Sequence, residues 1–136
     1  MAKITANAVP SPTDVGEDWH KLAVLSVESD AVAYDGGTVA IFELPVNTEL
    51  MAIVCDPETA FDAGDGSVEI TDTAGNVLMK IGGGSLLNTQ PMEQLVYRKY
   101  ASGSTITAAV GAGAASAGSL RFHIMYRSHA GYKYQH

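Results

Sequence analysis

The chain has 136 residues, 15 Asp and Glu against 8 Lys and Arg, and a formal net charge of −7. That length bounds it to one domain with an independent core, and the acidic balance disfavours direct nucleic-acid binding, which needs clustered Lys and Arg. The one cysteine, Cys55, leaves no intrachain disulfide and no cysteine-based zinc site, and no apolar run approaches the ~20 residues of a membrane span.

Residues 1–7 (MAKITAN) lack the apolar stretch of a signal peptide, so synthesis in the cytosol is expected. Residues 1–18 contain Pro10, Pro12 and Gly16 among Ser, Thr and Asn, with no sustained period, and read as an extended arm. Trp19 closes the arm; a lone Trp there either anchors on a partner or caps the core of the domain that follows. Residues 22–28 (LAVLSVE) are the first expected strand, and a short one at 31–34 lies between the turn signals Ser29-Asp30 and Asp35-Gly36-Gly37.

Two apolar runs, 38–44 and 49–56, flank Pro45-Val46-Asn47-Thr48, and their Val, Ile and Phe content predicts an antiparallel hairpin. Both runs are apolar on both faces, so the hairpin is expected to be covered twice, by a second sheet and by a neighbour. Cys55 sits inside it and is expected to be buried and inert.

Residues 58–66 form a polar loop around Phe61. Residues 67–71 and 77–81, on either side of Asp72-Thr73-Ala74-Gly75-Asn76, predict a second hairpin with Val68 and Ile70 inward and Glu69 outward. Gly82-Gly83-Gly84-Ser85 ends it, and Pro91 argues against a central strand in 86–94. Residues 95–100 and 104–110 read as strands, the latter with Ile106, Ala108 and Val110 on one face, and 111–118 is a loop of small residues. Residues 119–127 alternate cleanly, with Leu120, Phe122, Ile124 and Tyr126 inward and Arg121, His123, Met125 and Arg127 outward. The tail, 128–136, is polar and carries Tyr132 and Tyr134. No stretch has a helical period, and about eight strands of roughly five to nine residues predict an all-β antiparallel sandwich or barrel. The expected organisation is an arm at 1–18, a β-sandwich at 19–127 and a tail at 128–136.

Candidate chemistry is sparse. Asp56, Glu58, Asp62 and Asp65 lie close in sequence but do not match a calcium loop. His20, His123, His129 and His136 are not completed into a zinc set by a cysteine or an adjacent carboxylate. Gly82-Gly83-Gly84-Ser85 lacks the phosphate-loop pattern and leads into no helix. No nucleophile setting or acid–base pair stands out, so the expectation is a non-enzyme without metal or cofactor. The outward stripe Arg121, His123, Met125 and Arg127 is partly basic on an acidic chain, and Arg and Met are favoured at protein interfaces; the alternative is a solvated outer face.

Three stretches, FELPVNTELMAIVCDPETAFD, SVEITDTAGNVL and GSTITAAVGAGAASAGSLRFHIMYR, with the arm before them, resemble the decoration or cement proteins of tailed-bacteriophage capsids, about two thirds of the chain being covered. The resemblance implies a jelly-roll-like sandwich with an extended N-terminal arm. It also implies a virion protein on the capsid exterior, made in the bacterial host cytoplasm. That protein would bind the major capsid protein as a homotrimer and contact neither nucleic acid nor membrane. Trp19, Arg121, His123, Met125, Arg127, Tyr132 and Tyr134 are the expected interface residues. The alternative is a carbohydrate- or receptor-binding module of a tail or fibre, with Tyr97, Tyr100, Tyr132 and Tyr134 as its platform.

Overall fold

The computed structural model describes residues 24–128. Nine strands run through them: β1 (Val24–Glu28), β2 (Val32–Ala33), β3 (Gly37–Leu44), β4 (Thr48–Thr59), β5 (Ser67–Thr71), β6 (Val77–Gly82), β7 (Met92–Tyr100), β8 (Ser104–Gly111) and β9 (Ser119–Ser128). One turn of 3-10 helix (Gly83–Leu86) sits between β6 and β7, and there is no α-helix among the described residues. The arm at 1–18, Trp19, and Tyr132 and Tyr134 of the tail lie outside them.

The strands make two antiparallel sheets. One has the order β1-β9-β4-β7, with β2 also on β9; the other is β3-β8-β5-β6. Only β5 and β6 are both consecutive and paired; every other link carries the chain from one sheet to the other or to a distant strand. Two four-strand paths interleaved in this way are the double Greek key of a jelly roll, in which two sheets share one core.

The hairpin expected at 38–44 and 49–56 does not form. β3 pairs with β8, and β4 lies between β9 and β7 in the opposite sheet. The intervening turn ties up its own polar groups. The Thr48 hydroxyl donates to the Pro45 carbonyl (2.7 Å), Asn47 takes φ 55°, and its N–H donates to the Ala101 carbonyl (3.1 Å). The link thus swings the chain across the sandwich. At twelve residues β4 is long enough to be flanked by β7 and β9, which no local partner could match. Its apolar second face is only half-covered, with Met51 and Val54 half-buried.

The other strand expectations hold with small shifts. The β5–β6 hairpin forms and buries Val68 and Ile70. β7 begins at Met92, directly after Pro91, and is therefore longer than the run 95–100. On β9, Leu120, Phe122 and Ile124 are buried and Tyr126 half-buried. The core between the sheets is Leu50, Ile53, Val68, Ile70, Ile106, Leu120, Phe122 and Ile124, with Leu86 and Phe61 closing one end. Each such side chain contributes about 1.5–3 kcal/mol by leaving water.

Polar groups lace the loops at the two ends. Asp62 accepts from the Ser116 N–H (2.7 Å) and hydroxyl (2.6 Å), and Asp65 accepts from the Ala114 N–H (2.8 Å). Gly118, at φ 144°, leaves the space that the Phe61 ring occupies; a Cβ there would collide with it. Elsewhere, buried Asp72 accepts from the Asn76 backbone and side chain and from the Tyr100 hydroxyl, each at 2.9 Å. Burial opposes ionisation of Asp72, but the hydrogen bonds from Asn76 and Tyr100 outweigh it and hold the carboxyl below its usual range. Burial, and then Asp72 itself, push the Tyr100 phenol up.

A testable consequence follows from the sign. A carboxyl depressed in the folded state adds stability that is complete above its unfolded pKa, about 4, and is lost as pH falls toward its folded value. Tyr100→Phe is expected to cost about 1.5 kcal/mol at neutral pH. That cost should shrink as Asp72 protonates. Urea midpoints of both proteins across the acid range check it; a pH-independent cost would assign the loss to packing instead.

Candidate interaction surfaces

β9 is the central strand of the five-stranded sheet, so its alternate residues define that sheet's outer face. Residues directly opposite in an antiparallel pair share a face, and the register sets out three rows. Glu28, His123, Val54 and Glu93 form one; Ser26, Met125, Ala52 and Leu95 the next; Val24, Arg127, Glu49 and Lys99 the third. Arg121 stands beyond the first, opposite Asp56.

The four outward residues expected from the sequence, Arg121, His123, Met125 and Arg127, are thus brought together on this face. Two of them carry acidic partners within the chain. The Arg121 Nε lies 2.8 Å from Glu58 and 3.9 Å from Glu28, and its NH1 donates to the Ser29 carbonyl at 3.0 Å. The His123 Nε2 lies 3.3 Å from Glu28 and 3.9 Å from Asp56. The Arg127 Nε is buried and has no hydrogen-bond partner among the described residues. The stripe is therefore a balanced charge lattice around an apolar row, not a bare cationic strip. In that row Leu95 is 58% exposed and Met125 half-buried, with Val24 exposed at the sheet's edge.

The other sheet's outer face differs in kind. Its rows are Thr38, Ala109, Glu69 and Lys80, then Ala40, Thr107 and Thr71. Short Thr and Ala side chains leave a shallow trough beside an exposed Glu69–Lys80 pair at 3.9 Å. An exposed pair of this kind adds little to stability. Arg and Met are enriched at protein contacts and Lys, Glu and Ala depleted, so the five-stranded sheet presents the better docking face.

The remaining candidates are dispersed. Asp56 and Glu58 face His123 and Arg121, while Asp62 and Asp65 cap the 111–118 loop. Among the described residues no three His, Cys, Asp or Glu side chains gather as metal ligands would. His20, His129 and His136 lie outside them. Cys55 is buried, and desolvation, helped by the Asp56 charge, pushes its thiol up to about 12, so it is held protonated. Tyr97, at φ 50°, is 58% exposed on a bulge of β7, whereas the Tyr100 hydroxyl is committed to Asp72. Sequence reasoning missed Leu95, because only the pairing of β7 with β4 places it in the Met125 row. It also missed the Asp72 cap, although Asp72…Gly75-Asn76 carries the signature of a side chain that caps its own turn.

No protein-family model and no curated protein matches the chain. Solved structures do match it. A chain of the acidic stable capsid structure of Helicobacter pylori bacteriophage KHP30 aligns with a TM-score of 0.64 at 12% identity, covering 79% of this chain and 93% of that one. A chain of the capsid asymmetric unit of cyanophage Pam1 aligns with a TM-score of 0.62 at 12% identity, covering 79% and 86%. At such identity the likeness is one of fold, and it agrees with the jelly-roll strand order.

Proposed function

We propose that the chain is a structural protein of a bacteriophage virion that binds the outer surface of the assembled capsid lattice and stabilises it. It acts as a homotrimer, with the outer face of the five-stranded sheet set against the major capsid protein. The observation that carries this reading is the difference between the two outer faces. Only one combines an apolar row, Met125, Ala52 and Leu95, with flanking charges already paired inside the chain. Such a face loses water without stranding a charge, the arrangement expected of a contact with an apolar centre and a polar rim. The likeness of fold to chains of two phage capsids supports a capsid shell as the partner.

Stabilisation is then binding thermodynamics. A protein that binds the assembled lattice and not its dissociated subunits shifts the equilibrium toward the lattice by mass action. Three linked copies engaging one three-fold position add avidity without new contacts. Light scattering is expected to give three times the 14.2 kDa of one chain; a monomer at all concentrations would remove the trimer. Co-sedimentation with cognate capsid shells tests the reading itself, and a full-length chain left in the supernatant would end it. Deleting residues 1–18 is expected to leave the sandwich folded and to abolish shell binding.

The alternative, a carbohydrate-binding module of a tail or fibre, has less behind it. Of its four tyrosines, Tyr97 is presented, Tyr100 is tied to Asp72, and Tyr132 and Tyr134 lie outside the described residues. A blank glycan screen would remove it.

A further inference from the structure

The two free edges of the five-stranded sheet are built differently. β7 bulges where Val96 and Tyr97 stand against Met51, and it carries Glu93, Arg98 and Lys99. Bulges and charges are how edge strands avoid pairing. β1 has neither device: it keeps regular register with β9, its one charge is Glu28 at the end, and all five residues are exposed. Leu25 and Val27 lie opposite Tyr126 and Ile124 and so point inward, yet they are 46% and 42% exposed. Facing them is β3, the edge of the other sheet, and between the two lies an open cleft of about 360 Å³. Its floor is apolar, made by Val27, Ile41, Phe42, Leu44, Ile124 and Tyr126.

Inward-facing aliphatic side chains left this exposed mark a missing layer of the sandwich. The rim of the cleft is acidic, with Glu28, Asp30 and Glu43. Residues 1–23 join the domain at Val24, the first residue of this edge. They contain the chain's one tryptophan, Trp19, followed by His20 and Lys21. An indole suits the site: it is a large flat apolar body whose single N–H needs one acceptor, and the unpaired edges of β1 and β3 expose carbonyls. Lys21 matches the acidic rim. The five-residue reach from Val24 back to Trp19 spans up to about 17 Å, more than the length of β1, about 13 Å.

We propose that residues 1–23 of the same chain dock on this open side of the sandwich, with the Trp19 indole seated in the cleft between β1 and β3. The arm is then rooted on the body, and residues 1–18 are the length left free to reach a partner. The inference concerns the isolated protein and stands apart from shell binding.

Because Trp19 is the one tryptophan, its fluorescence reports this contact alone. In the full-length protein its emission is expected to be blue-shifted from free tryptophan and its quenching by acrylamide reduced several-fold. Val27→Lys, which puts a charge in the cleft mouth on an exposed edge position, should restore free-tryptophan quenching. Leu95→Lys, on the opposite side of the sheet, should leave the protection intact. Emission like that of free tryptophan in the wild type would overturn the proposal, as would protection lost in Leu95→Lys and kept in Val27→Lys. Protection that disappears on dilution would mean the segment is exchanged with a second copy, which also overturns docking within one chain. Should Val27→Lys not fold, Trp19→Ala gives the reciprocal reading. It should raise hydrogen exchange several-fold in residues 24–28 and 41–45, and unchanged exchange there would refute the contact.

Discussion

Met125→Asp is expected to abolish shell binding while leaving the sandwich folded. Met125 is half-buried at the centre of the outer face, between Ser26 on β1 and Ala52 on β4, so a shorter acidic side chain fits without disturbing the core. In a docked face the same carboxylate would be desolvated with no partner, because the neighbouring cations already have theirs in Glu28 and Glu58. Central contacts of this type cost about 2 kcal/mol or more when removed, about thirtyfold in affinity per site, and a trimer compounds the loss through its linked sites. Thr107→Asp, at the matching place on the other sheet's outer face, is the control and should bind as wild type. Co-sedimentation of both variants with cognate shells decides it. Equal binding would move the contact off the five-stranded sheet, and loss only in Thr107→Asp would assign it to the other.

Phe122→Ala is expected to cost about 3–5 kcal/mol of folding stability. Phe122 is fully buried on the central strand, its backbone bonded at 2.8 and 3.0 Å to Ser29, where the chain leaves β1. A cavity there cannot collapse, because β1 and β4 hold β9 from both sides. Against a total stability of about 5–15 kcal/mol for a domain, such a loss leaves a protein that is partly unfolded at physiological temperature. Tyr126→Ala, two alternations along the same inward face, should cost distinctly less, because Tyr126 is half-buried beside the open cleft. Urea midpoints measure both. Equal costs would mean that the cleft is filled and Tyr126 is as enclosed as Phe122.

The strands themselves were legible because alternation is a local signal. Leu120, Phe122 and Ile124 fall inward and Arg121, His123 and Met125 outward from sequence spacing alone, and the sandwich carries out that pattern. The β5–β6 hairpin was equally plain, since five turn residues join two short strands that pair with each other. The failure came at Pro45–Thr48. Two apolar runs with a turn between them look like a hairpin whether the chain doubles back in one sheet or crosses to another. The difference is settled by partners far along the chain, β8 for one run and β7 and β9 for the other.

The candidate surface divides in the same way. From its sequence alone the chain is determined to be a small, acidic, all-β domain with no disulfide and with an outward Arg-His-Met-Arg stripe, because composition and period-two alternation are properties of neighbours in sequence. Only the tertiary structure places that stripe at the centre of a sheet, sets Glu28, Asp56 and Glu58 against its cations, brings Leu95 into line with Met125, and opens the cleft beside β1. The physical reason is that in a jelly roll almost every strand pairs with one distant in the chain. What a side chain meets is therefore fixed by sheet order and register, which no local window of residues contains.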